Sequence, residues 1–92
     1  MRVFVLESKW DLGENTKSDV MGVFDSKEKA QQEMLEAFKY DIENTYFSRF
    51  FKDGKLLPNC GVCLEMRDMQ INLFEECDYP FIEYRINEYK VL

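Results

Sequence analysis

Apolar and polar positions alternate toward both ends of this chain, and apolar residues recur every third or fourth position in its middle, so strands flank a helix. Residues 2–10, RVFVLESKW, read as a first strand in which Val3, Val5 and Glu7 point one way and Phe4, Leu6, Ser8 and Trp10 the other. Both faces are apolar over residues 3–6, which predicts a central strand. Residues 11–17, DLGENTK, have the Gly, Asn and Thr of a loop, long enough for a wide hairpin into a second strand over 18–24. There Val20, Gly22 and Phe24 would share a face, and the bare Gly22 would let a helix come close to the sheet.

Asp25 and Ser26 are alternative N-caps for that helix, Asp25 with Glu28 at capping-box spacing. Ala30, Met34, Phe38 and Ile42 follow at i, i+4 spacing, flanked by Leu35 and Ala37. Lys29, Gln32, Glu33, Glu36, Lys39 and Glu43 occupy the opposite face, where Lys29–Glu33 and Lys39–Glu43 are spaced for ion pairs. The pattern predicts a helix from about residue 26 to at least 44. Beyond it Tyr46, Phe47, Phe50 and Phe51 spread around the axis, and KDGK at 52–55 supplies a stop with Gly54 just past it. Pro58 disfavours helix at Leu57, so 56–59 is a connection.

The period of two then returns. Val62, Leu64 and Met66 alternate with Cys63, Glu65 and Arg67, and Met69, Ile71 and Leu73 with Gln70 and Asn72. Residues 61–75 are either two strands around Arg67 and Asp68 or one long bent strand, since no glycine marks a tight turn. EECDYP at 75–80 is a turn, and a last strand runs from Phe81 to about Val91, with Ile82, Tyr84 and Ile86 set imperfectly against Glu83, Arg85 and Asn87. The expected fold is α+β: an antiparallel sheet of four or five strands, ββαββ(β), with one long helix packed on one face. No repeat, linker or low-complexity tract divides the chain, so residues 1–92 form a single domain.

Composition narrows what such a domain can do. A 92-residue chain buries roughly 60–65% of its unfolded surface, so its stability depends on good packing. An apolar fraction of 46% with 15% aromatics argues against disorder. There is no membrane span or signal-peptide pattern, and the expected compartment is the cytoplasm. The net charge of −6 repels phosphate and argues against direct nucleic-acid binding, while suiting a basic protein partner. With no histidine, the chain lacks Ser-His-Asp and Cys-His triads and every His-containing metal site.

Three constellations remain. Cys60 and Cys63 form a C-x-x-C motif with Cys77 downstream, but a zinc site lacks its second pair and a thioredoxin-type dithiol would precede a helix, not a strand. Reduced packing cysteines are the expectation, with no cofactor and no metal. Glu65, Asp68, Glu75, Glu76, Asp78 and Glu83 gather in the C-terminal third, either as a solvated sheet face or as a mimic of a phosphate backbone. The cluster YFSRFF at 46–51 supplies either core or an apolar anchor: Phe47, Phe50 and Phe51, with Arg49 among them and Trp10 joining the same surface.

VFVLES at 3–8, GVFDSKEKA at 22–30 and the final YRINEYKV resemble short uncharacterised proteins of phages and prophages in Firmicutes and related bacteria. The resemblance implies a strand, a cap and a helix. By analogy of size and charge alone it implies an anti-defence role, such as that of anti-CRISPR proteins. The functional expectation is a small acidic, non-enzymatic binding protein that occupies a basic, nucleic-acid-binding surface of a host protein. Its contacts would be Glu75, Glu76, Asp78, Phe47, Arg49, Phe50, Phe51 and Trp10. The alternatives are a homodimer without external partner, built on the aromatic cluster, and a C-x-x-C zinc or redox protein.

Overall fold

The structure, a computed structural model, describes residues 1–11, 16–76 and 80–91. Alternation in the first segment gives strand β1, Arg2–Asp11, followed by β2, Lys17–Phe24. Helix α1 runs from Lys27 to Asn44, and a 3-10 helix, Tyr46–Phe50, continues the chain. A miniature hairpin, β3 (Phe51–Lys52) and β4 (Lys55–Leu56), leads to β5 (Val62–Arg67), β6 (Gln70–Glu75) and β7 (Phe81–Lys90). Five strands form one antiparallel sheet in the order β2-β1-β7-β6-β5. The α+β expectation holds, with five strands and α1 across one face. Among the described residues no helix is long and apolar enough to cross a membrane.

Burial explains the arrangement. Ala30, Met34, Phe38 and Ile42 of α1 pack against Leu6, Ile71, Leu73, Ile82, Tyr84 and Ile86, one face each of β1, β6 and β7. β7 alternates strictly after all: Ile82, Tyr84 and Ile86 are buried, while Glu83, Arg85 and Asn87 lie on the other face. The Tyr84 hydroxyl, inside the core, donates to the Ala37 carbonyl at 3.3 Å, so its burial leaves no polar group unsatisfied. Ser26 is the N-cap, its hydroxyl accepting from the Lys29 amide at 3.2 Å. Asp25 instead pairs with the Lys29 ammonium at 2.9 Å. Neither the Lys29–Glu33 nor the Lys39–Glu43 pair forms among the described residues.

Three details depart from the pattern reading. The β1–β2 ladder shifts register between Leu6 and Glu7, leaving Met21 as an extra residue in β2, so Val20 turns to the face opposite Gly22 and Phe24. A Cβ on Gly22 would lie 2.8 Å from the Phe24 ring; the missing side chain makes room for that ring and not for the helix. The helix ends at Asn44, well before Gly54. Thr45 closes it, its amide and hydroxyl both donating to the Asp41 carbonyl, and its hydroxyl also accepts from the Phe47 amide to start the 3-10 helix. Asp53 and Gly54, both at positive φ, make the β3–β4 turn.

Residues 61–75 are two strands. Their turn, at Asp68 and Met69, needs no positive φ because it is tied from outside. Gln31 donates to the Asp68 carboxylate and carbonyl at 2.6 and 2.7 Å, Lys27 pairs with the same carboxylate, and the Ile86 amide donates to the Met69 carbonyl at 2.8 Å.

Candidate partner-binding surface

Register places most of the expected contact residues at one end of the sheet. Trp10 at the end of β1 is paired with Ile82 near the start of β7, Ile82 with Leu73 of β6, and Glu75 follows two residues later. Trp10 and Leu73 therefore share a face at about 10 Å, two strand spacings apart. Because α1 begins beside the β5–β6 turn and runs down the sheet, its C-terminal end and the 3-10 helix arrive at this same end.

There the aromatic cluster divides by burial. Phe47 is fully buried, and its ring meets Tyr46 edge-on at 5.5 Å, so it is core and not an exposed anchor. Phe50 and Phe51 are half-buried, Phe50 against Tyr46 at 5.6 Å and Phe51 against Phe38 at 6.2 Å. The Arg49 guanidinium lies 4.5 Å from the centre of the Tyr46 ring and donates to the Tyr46 carbonyl at 3.2 Å. The Tyr46 hydroxyl donates to Glu75. Tyr46, which periodicity placed in the cluster without a role, is thus its hub. Trp10 is half-buried beneath the Lys17 ammonium, which stands 5.2 Å from its ring.

The C-terminal carboxylates do not assemble into one patch. Glu65 pairs with Arg67 at 3.3 Å and Glu83 with Arg85 at 2.7 Å, both on the sheet face away from α1. Asp68 lies at the opposite end of the sheet, held by Lys27 and Gln31. Glu75 is occupied by Tyr46, and Glu76 accepts from the Cys63 thiol at 3.4 Å. Asp78 and Cys77 lie outside the described residues. Sequence proximity misled here because neighbouring charges on a strand and its turn point to different faces and ends.

Unpaired acidity lies elsewhere, along the outward face of α1. Glu33, Glu36 and Glu43 are exposed and make no ion pair or hydrogen bond among the described residues. Tyr40, 65% exposed, sits among them. The i, i+3, i+10 spacing of these glutamates, with Tyr40 at i+7, was visible in the sequence as the polar stripe of the helix. Near the helix end, burial pushes the Asp41 carboxyl up from its ordinary 3.8 to about 6.

Cys60 and Cys63 are free and half-buried. Burial, then the hydrogen bond to Glu76 and the surrounding negative charge, raises the Cys63 thiol, which disfavours the nucleophilic thiolate. Among the described residues no three cysteine, aspartate or glutamate side chains converge as metal ligands would. Comparison with protein-family models, curated proteins and solved structures gives no match to this chain.

Proposed function

We propose that this chain is a non-enzymatic binding protein whose contact surface is the outward face of α1, continued at its C-terminal end by Arg49 and Phe50. Its partner presents a basic surface of the kind that holds a nucleic-acid backbone. The observation that supports this reading is the set of exposed carboxylates Glu33, Glu36 and Glu43, unpaired among the described residues, on one helix next to an exposed Tyr40. A helix holds the backbone under such charges at fixed spacing, and an acidic stripe beside an aromatic anchor complements a cationic groove. The phage-type resemblance and the anti-defence role belong to this proposal as its biological setting.

The test is capture of a basic protein from a lysate of the cell that carries the gene, by the wild-type chain and by Glu33→Lys/Glu36→Lys/Glu43→Lys. The reading expects a captured protein that the triple variant loses and that nucleic acid displaces. Equal capture by both chains sinks it.

A further inference from the structure

The sheet face that α1 leaves bare is chemically unlike the helix side. Strand register sets it out in rows: Val3 beside Tyr89, then Val5 between Val23 and Asn87. The third row is Val20, Glu7, Arg85, Gln70 and Arg67, and the fourth Ser18, Lys9, Glu83, Asn72 and Glu65. The first rows are apolar and wet: Val23 is 62% and Tyr89 51% exposed. In the next two, Glu7, Glu65 and Glu83 balance Lys9, Arg67 and Arg85, with signs alternating both along and across β1 and β7. The whole chain carries −6, so copies of it repel across most approaches but not across these two neutral rows.

We infer that a second copy of this chain packs on this face, sheet on sheet, about a two-fold axis parallel to the strands and running between β1 and β7. That axis lays β1 of one copy over β7 of the other, row on row. Val3 then faces Tyr89 of the partner subunit, Glu7 faces Arg85 of the partner subunit, and Lys9 faces Glu83 of the partner subunit, each contact occurring twice. An axis across the strands would also oppose the charges, but it would set the half-buried Val5 over the carboxylate of Asp11, where the strand-parallel axis sets it over the neutral amide of Asn87 of the partner subunit, and it would part Val3 from Tyr89 of the partner subunit. The strand-parallel axis also keeps the strand directions within the ~30° that aligned sheet packing requires. Under this axis the copies overlap over four strands in the two charged rows and over β1 and β7 in the two apolar rows, about twelve positions of roughly 33 Å² each, or about 400 Å² in projection. That is below the ~800 Å² per partner of standard interfaces, so the pair is a weak one held by its charge register. Such a dimer leaves both α1 faces free, one on each side.

Within one chain the same charges also pair, Arg85 with Glu83 at 2.7 Å and Asn87 with Glu7 at 3.3 Å, so the experiment must separate contacts within the chain from contacts between copies. Sedimentation equilibrium of the wild-type chain should give a dimer. Glu7→Arg and Arg85→Glu, each alone, should weaken it about tenfold or more, because like charges then meet across the axis. An equimolar mixture of the two variants should restore a dimer, since each reversed side chain faces its opposite on the other copy while the repulsion inside each chain is unchanged. Tyr89→Asp, at an exposed position with no fold to lose, should dissociate the dimer as well. A wild type that stays monomeric at the highest concentration overturns the inference, as does a dimer indifferent to Tyr89→Asp or a mixture that stays monomeric.

Discussion

Phe47→Ala tests whether the aromatic cluster is core or contact surface. The Phe47 side chain is fully buried, with Tyr46 edge-on at 5.5 Å and Phe50 at 6.3 Å. Removing a buried phenyl ring leaves a cavity and typically costs about 3–5 kcal/mol, of which an aromatic pair accounts for roughly 0.5–1.5. For a domain of this size total stability is of order 5–10 kcal/mol, so the substitution removes about half of it. Phe50→Ala, at a half-buried ring, should cost only about 1–2 kcal/mol. Urea unfolding followed by far-UV circular dichroism measures both, with unchanged m-values required for comparison. In thermal melts, Phe47→Ala should lower Tm by roughly 12–40 °C, at about 4–8 °C per kcal/mol. If Phe47→Ala costs less than Phe50→Ala, the division of the cluster into core and rim is wrong.

Asp41 offers a pH-dependent counterpart. Its folded-state pKa is raised, so its contribution is fully present below about pH 3.8 and is lost as pH rises through about 6. Asp41→Asn should therefore be more stable than wild type above pH 6 and indistinguishable near pH 3.5. The limit set by the shift is about 3 kcal/mol, and about 1 kcal/mol is expected once solvent screening of a half-buried group is allowed for. Chemical denaturation at several pH values reads this directly, and an equal offset at every pH contradicts it. Gly22→Ala should cost about 1–3 kcal/mol, because the added methyl meets the Phe24 ring at 2.8 Å. Pairing it with Phe24→Leu should recover part of that loss, and no recovery would remove the ring as the cause.

Much of this fold can be read from periodicity alone, because burial of one face determines both the alternation in β1 and the stripe Ala30–Met34–Phe38–Ile42. What could not be read depends on contacts distant in sequence. The turn at Asp68 and Met69 has no glycine because Lys27 and Gln31, some forty residues earlier, hold it from the helix. The bulge that reverses Val20 arises from how β2 meets β1, and Gly22 alone does not disclose it. The helix end was signalled by Thr45, whose hydroxyl serves both sides of the junction, but the aromatic residues beyond it drew attention to a later stop. For the candidate surface, the carboxylates grouped by sequence proved to be shared among faces and partners. Those aligned by helical period, Glu33, Glu36 and Glu43, make no ion pair among the described residues.

The claim that acidity available to a basic partner lies on the α1 side, and not on the sheet, is tested most directly by amide chemical-shift mapping. A short oligolysine peptide titrated into the ¹⁵N-labelled chain should shift the amides of Glu33, Glu36, Tyr40 and Glu43 and those at Tyr46–Phe50. It should leave Glu7, Glu83 and Arg85 unmoved. Shifts centred on the sheet rows, or none at α1 under low salt, would contradict the account.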